Sequence, residues 1–288
     1  MEIIKDIKLL REKIEQLSKL GEKTIGLIHT RGPLHEGHRT LIQAARKENY
    51  IVVISNILPP REFESREAYK IYPRSTIQDE NLAAASGADF FFKPDIEDFE
   101  GFNEMIGIKL GDTLKEELNG KGRPSYYEEK LTTLAKLLNM IQPQRLYMSD
   151  KDLQQVYFTK EMLKQLRYDC KLRVLPVVRD EENMALGIKE GLLKEDERKQ
   201  VLELAKIFLK AQTAYKRGMV SSRKIKWHVE NEVSKLYLCE LEFVELVEPE
   251  RLRKIETITE EAILMIGIRV GQVRICDYTR LVNIQEKN

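Results

Sequence analysis

Of the four histidines in this chain, His29, His35, His38 and His228, three fall within ten residues of one another. Two of them frame a glycine in His35-Glu36-Gly37-His38, after an apolar run at 24–28 and at the head of a helical pattern over 37–49. A helix start exposes unpaired N–H groups and a positive dipole end, and both favour phosphate. Gly37 lets backbone come close to a ligand, and His35 and His38, three apart, can face the same side of the helix start. Such a pair suits the charge that develops between the α and β phosphates of a nucleotide during transfer. Two blander readings stay open. The histidines cap the helix or satisfy a turn, as short motifs often do by accident. Zinc is the other, although no nearby Cys, Asp or further His completes a ligand set beyond His29, which sits within the strand pattern.

A second group is Ser149-Asp150-Lys151-Asp152, directly after a strand pattern at 145–148. A strand-end lysine can supply a point charge to a phosphate at the same sheet edge, and Asp152 can accept from ribose hydroxyls. Without that context the segment reads as a solvated charged turn.

These residues need elements to hold them. Ile4, Ile7, Leu10, Ile14 and Leu17 predict an amphipathic helix over 3–20, stopped at Gly21. Strand patterns at 24–28, 50–55, 89–92, 145–148 and 172–178 then alternate with helical ones at 37–49, 76–86, 126–140 and 153–166. Alternation of this kind predicts an α/β fold, with parallel strands, helices on both faces, and ligands at the carboxyl ends of the strands. After about residue 180 the texture changes to a long charged helix at 195–217, a helical pattern at 229–237, and strands at 241–247, 262–270 and 273–278. We therefore expect two domains, 1–180 and a smaller α+β domain 181–288, with no repeat or Gly/Ser linker.

Composition narrows the partners. The 48 basic and 47 acidic residues leave a net charge of +1, which gives no electrostatic reason to expect nucleic acid or an anionic membrane. The charged start and the lack of a long apolar run predict a cytoplasmic protein. Cys170, Cys239 and Cys276 are odd in number and far apart, so reduced thiols are expected. Arg223-Lys224-Ile225-Lys226 reads as surface, and Trp227 beside it as a packing residue.

Taken together the pieces resemble the pantothenate synthetase family, pantoate and β-alanine ligases of the H-x-G-H nucleotidyltransferase superfamily. The family stretch P-T-M-G-A-L-H-x-G-H is similar to 29–38 here, Y-P-R to Tyr72-Pro73-Arg74, and G-E-K-D-x-Q-Q to 149–155. Agreement extends to Arg123-Pro124, to Lys136-Leu137-Leu138-Asn139 before Gln142-Pro143, and to Gly271-Gln272-Val273-Arg274. The resemblance implies a Rossmann-like nucleotide- and acid-binding domain followed by a lid domain. It also implies a two-step reaction, in which a carboxylate attacks the α-phosphate of ATP and an amine then displaces AMP. It gives His35, His38 and Lys151 catalytic roles on the phosphates, and assigns Thr30, Gly37, Ser149, Asp152 and Lys189 to the nucleotide. Arg31, Glu62, Gln155 and Arg123 fall to the substrates, Mg2+ is held by ATP and water rather than by the protein, and a homodimer is expected.

The departures from the family pattern lie around the acid. Where the family has Met, Asn and Gln, this chain has Arg31, Pro59 and Glu62; the two charges either neutralise each other or read a charged or amino-bearing acid. The family S-S-R-N loop is replaced by Gly187-Ile188-Lys189-Glu190, and R-P-G-H-F-R-G by residues 123–129, with Tyr126 at the histidine. Loss of several donors at once would slow adenylation, so two alternatives stand beside the ligase. One is a catalytically weak nucleotide-binding regulator, the other a nucleotidyltransferase with a different acceptor.

Overall fold

A strand buried on both faces needs a helix to carry the chain back across the sheet before the next parallel strand can pair, and that requirement shapes the first unit. The computed structural model describes residues 1–18, 24–63, 65–101, 106–123, 125–187 and 189–282. The expected helix stop at Gly21 lies outside the described residues, as do Pro124 and Ile188. Contacts group 1–116 and 120–178 into one unit and 117–119 and 179–288 into another.

The first unit runs β1 (Glu2–Ile4), α1 (Ile7–Ser18), β2 (Ile25–Thr30), α2 (Glu36–Glu48), β3 (Ile51–Asn56), α3 (Arg66–Ile71), α4 (Thr76–Ser86) and β4 (Phe90–Phe92). It continues through α5 (Ile96–Glu100), α6 (Tyr126–Ile141), β5 (Arg145–Ser149), α7 (Leu153–Gln165) and β6 (Lys171–Leu175). All six strands pair in parallel in the order β1-β4-β3-β2-β5-β6, a Rossmann-like arrangement. The chain moves outward from β2 through β3 and β4, then returns to β5 on the other side of β2. The carboxyl ends of β2 and β5 therefore flank the switch point, where open α/β sheets bind ligands. Ile28 pairs with Tyr147, so the same register carried two residues on brings Thr30 level with Ser149. Ile28, Val52, Ile54 and Phe91 from the sheet pack with Leu41, Ile42 and Ala45 of α2 and Ala83 of α4.

The second unit packs α8 (Glu195–Lys216) and α9 (Ser222–Val233) against an antiparallel sheet of β7 (Cys239–Val247), β8 (Glu261–Val270) and β9 (Val273–Val282). The fold is thus α/β with a smaller α+β part.

Four local expectations are corrected. Residues 2–4 form a strand rather than the first turn of a helix: Ile4 happens to fall at helical spacing with Ile7, but it is buried as the sheet partner of Phe92. The last helix runs 222–233 instead of 229–237, because Ile225, Val229 and Val233 form its buried stripe. Trp227 points away from that stripe and is 65% exposed, so it is not a packing residue. Strand β6 stops at Leu175, short of the expected Val178. The three cysteines are free, as expected.

Candidate active site

The turn after β2 is organised by its own side chains. His35 is the N-cap of α2 and its Nδ1 accepts the Gly37 N–H at 3.1 Å, while His38 Nδ1 accepts the His35 N–H at 3.2 Å. A backbone N–H can only donate, so each Nδ1 is an acceptor and each neutral ring carries its hydrogen on Nε2. His38 Nε2 lies 3.1 Å from Thr30 Oγ1, which also accepts the Gly32 N–H at 3.0 Å. With two donors arriving, the Thr30 hydroxyl hydrogen has to point elsewhere. Burial, followed by His35 and Lys151, pushes His38 down to about 3, so it is neutral in ordinary conditions. The capping reading of these histidines is therefore realised, and capping is what fixes their tautomers.

Gly37 has a structural reason beyond ligand approach. A Cβ there would meet the His35 ring at 2.9 Å, so only glycine lets the imidazole fold over the helix start. The loop is further held by Asp79 of α4, a buried carboxylate that accepts the Leu34 N–H at 2.7 Å and Asn56 Nδ2 at 3.2 Å. Burial raises its pKa, against the pull of those two donors. No sequence motif marked Asp79, because its partners lie 45 and 23 residues away.

Beside this turn, β5 ends at Ser149, whose Oγ accepts the Lys151 N–H at 3.3 Å. The influence of Lys151 on His38 puts the two strand-end motifs in one electrostatic neighbourhood. Asp152 caps α7 by accepting the Gln155 N–H at 3.1 Å, and also takes the Tyr127 hydroxyl at 3.0 Å and Lys130 Nζ at 3.2 Å. Burial would raise Asp152, but Lys130 and these hydrogen bonds outweigh it and hold the carboxyl below its usual range.

A third group lies alongside. Glu62 is buried; its Oε1 accepts the Thr133 hydroxyl at 2.8 Å and its Oε2 faces Arg31 Nη1 at 3.7 Å. The two unusual charges of the acid region thus face each other. Burial works against the Arg31 charge, yet the Tyr126 and Tyr72 phenols and Glu62 outweigh it and hold the guanidinium above its ordinary value. Lys130 Nζ also donates to Gln155 Oε1 at 2.7 Å and stands 4.2 Å over the Tyr126 ring, while Arg123 Cζ lies 3.7 Å from that ring's centroid. Lys130 was not singled out from sequence, and Tyr126 only as the residue at the family histidine, since both sit in a helical pattern that reads as packing.

Two sequence candidates behave differently. His29 donates to or accepts from Ser55 Oγ at 3.0 Å and is pushed down to about 4, chiefly by burial. Among the described residues no group of three His, Cys, Asp or Glu could hold a metal, which leaves the zinc reading without a ligand set. Lys189 opens a 3-10 turn in the second unit and its side chain lies outside the described residues.

A helix N-terminus with histidines after one strand, and a lysine after the neighbouring strand at the same switch point, define an enzyme class: α/β proteins that work on nucleotide phosphates. The particular member follows from comparison. The model of the pantoate-beta-alanine ligase family matches residues 2–280, and the chain belongs to that family. It is 33% identical to the pantothenate synthetase of Thermotoga neapolitana, over 94% of this chain and 98% of that one. It is 30% identical to the enzyme of the same name from Acetivibrio thermocellus, over 96% and 98%. Pantothenate synthetase from Thermus thermophilus superposes with a TM-score of 0.90 at 26% identity, covering 98% of this chain and all of the other. A pantoate-beta-alanine ligase from Francisella tularensis, complexed with β-γ ATP and β-alanine, shares the fold with a TM-score of 0.80 at 24% identity and 97% coverage of each chain.

Proposed function

We propose that this chain is an ATP-dependent, AMP-forming ligase that joins pantoate or a related acid to β-alanine or a related amine. In the first step a carboxylate oxygen attacks the α-phosphorus, an O–P bond forms, and the bond to pyrophosphate breaks. In the second the amine lone pair attacks the acyl carbon, a C–N bond forms, AMP leaves with the C–O electrons, and the nitrogen gives up a proton. The observation that carries this reading is the convergence of the His35–His38 helix start with Lys151 at the β2–β5 switch point.

The roles follow from what each group can offer. His35, as a neutral ring protonated on Nε2, and the Thr30 hydroxyl, whose hydrogen points away from His38, are donors suited to phosphate oxygens; His38, whose one N–H goes to Thr30 Oγ1, orients that hydroxyl, and Lys151 adds a charge that follows the phosphates from substrate to adenylate. Ser149 completes the nucleotide cradle, and Gly37, whose N–H is taken by His35 Nδ1, is assigned there on resemblance. Asp152 serves the nucleotide sugar while fixed by its cap and Lys130. Arg31, Glu62 and Gln155 are assigned to the acid, Arg123 to the substrates, and Lys189 to the nucleotide on resemblance alone. The donor set fits Mg2+ carried on ATP phosphates and water, because no carboxylate cluster among the described residues would bind it unaided. When present it would screen phosphate charge. A homodimer and a cytoplasmic location, where ATP is available, complete the reading.

Purified protein with ATP, Mg2+, pantoate and β-alanine should release pyrophosphate and free AMP. No release with any acid in a broad panel would leave the regulator, for which the loop at 187–190, with its serine donors replaced, speaks. A nucleotidylated product instead of AMP would point to a transferase.

A further inference from the structure

Lysine is seldom buried unless its charge is met by a partner. Lys130 is buried on α6, on the stripe that also carries Tyr127, Leu131 and Leu134, and its ammonium is shared among three neighbours. It donates to Asp152 Oδ2 at 3.2 Å and to Gln155 Oε1 at 2.7 Å, and it stands 4.2 Å from the centroid of the Tyr126 ring. Asp152 and Gln155 open α7, where the Gln155 N–H closes the cap on Asp152 Oδ1 at 3.1 Å. Tyr127 donates its hydroxyl to the same oxygen at 3.0 Å.

These contacts decide which way a glutamine amide faces. A primary amide keeps nearly the same shape with its oxygen and nitrogen exchanged, so an unheld glutamine offers either edge to a ligand. An ammonium only donates, so the Gln155 atom at 2.7 Å is the carbonyl oxygen, and the NH2 is the edge turned away from Lys130. The flipped amide would set its hydrogens against those of the ammonium, where charge is little screened. Gln155 is half-buried and lies just past the end of β5, at the sheet edge where such folds hold ligands. Asp152 is the anchor. Burial would raise its carboxyl, and Lys130 is foremost among the groups that hold it ionised. Its Oδ1 takes the two donors named above and its Oδ2 takes Lys130, so the carboxylate that holds the ammonium is itself fixed at both oxygens.

We propose that Lys130 is a positioning residue for the acid: anchored on Asp152 and seated over the Tyr126 ring, it holds the Gln155 amide with its NH2 toward the acid. The subsite then offers a donor and takes a hydroxyl or carboxylate oxygen. This rests on the ligase reading above, in which Gln155 meets the acid, and it gives Lys130 an effect that passes through Gln155.

A plain tie between α6 and α7 is the other role this geometry allows, and kinetics separates the two. Pyrophosphate release with ATP, Mg2+, β-alanine and varied pantoate is measured for Lys130→Met, Gln155→Leu and the double variant. Because a free amide must be ordered at binding, Lys130→Met should raise the pantoate KM by roughly three- to tenfold. The ATP KM and kcat should move by less than that. In the Gln155→Leu background the same substitution should move the pantoate KM by less than about twofold. Equal shifts in both backgrounds, or a matching loss in kcat and the ATP KM, overturn the positioning role and leave the ligase reading intact. Lys130→Met strands the Asp152 carboxylate; where it does not fold, Lys130→Met joined to Asp152→Asn is compared with Asp152→Asn alone, and the same pattern in the pantoate KM is expected. A wild type that turns over no acid sinks the ligase reading. Calorimetry of pantoate with a non-hydrolysable ATP analogue then carries the same cycle: a loss on Lys130→Met that depends on Gln155 keeps the positioning role, and no pantoate binding overturns it as well.

Discussion

His38 Nε2 and Thr30 Oγ1 lie 3.1 Å apart, across the turn that joins β2 to α2. Because His38 also accepts the His35 N–H through Nδ1, one imidazole ties the strand end to the helix cap and has its tautomer set by both. Thr30→Val keeps the volume but removes the acceptor for this ring and for the Gly32 N–H, in a site that is 5% exposed. Stability should fall by about 1–3 kcal/mol, and pyrophosphate release should drop more steeply than that folding loss explains. A Thr30→Ser variant should recover most of both, which denaturant titration and a release assay would show.

Gly37→Ala is expected to act through His35. The added methyl would meet the ring at 2.9 Å, so the imidazole must leave its place over the helix and give up the Gly37 N–H. Loss of the cap should cost about 1 kcal/mol, and pyrophosphate release should fall by roughly ten- to a hundredfold. A variant with normal kinetics would show that His35 is not needed in this pose.

Stability should decline on the acid side of neutrality. His29 and His38, held near 4 and 3 in the fold, bind fewer protons folded than unfolded, so acid favours the unfolded chain. Their contribution is complete above the ordinary histidine pKa of about 6.5 and is lost as pH falls toward the folded values. By pH 5 the loss is on the order of 1–2 kcal/mol for each ring. The raised carboxyls of Asp79, Glu100 and Glu129 act in the opposite sense at lower pH. Melting curves from pH 7.5 to 5 should show the decline, and His29→Gln and His38→Gln should each flatten it.

The Arg31–Glu62 pair should behave as a unit. Arg31→Met leaves the Glu62 carboxylate, 1% exposed, with the Thr133 hydroxyl donating to it and no cation in place of Arg31, and should destabilise by about 3 kcal/mol. Glu62→Gln strands a partly buried guanidinium and should cost somewhat less. The double variant should be more stable than the sum of the two predicts, by 1 kcal/mol or more on a rough scale. Strict additivity in a double-mutant cycle would show that the 3.7 Å approach carries no coupling.

The legible part of the site was the part built from neighbours in sequence. His35, Gly37 and His38 share one helix turn, and Lys151 and Asp152 follow one strand, so their spacing marked them as candidates for a phosphate centre beside the capping and turn readings. The Arg31 and Glu62 charges could be flagged as departures from the family, but whether they meet was undecidable because 31 residues separate them. What Lys130 and Tyr126 meet was invisible for another reason. They stand on α6, whose apolar stripe reads as packing, and only its placement against α7 brings Lys130 to Asp152 and Gln155.

The sequence by itself determined the alternation of strands and helices and the change of texture after about residue 180, and it offered the motifs at strand ends as phosphate candidates, because these follow from local periodicity and from groups a few residues apart. The tertiary structure decided the sheet order that sets β2 beside β5, the three-residue strand β1 that borrows its partner from β4, and the charge around Tyr126. Each of these depends on pairings across long stretches of chain. Burial then adds what no spacing carries: it sets which histidines stay neutral and which carboxylates need a cation beside them.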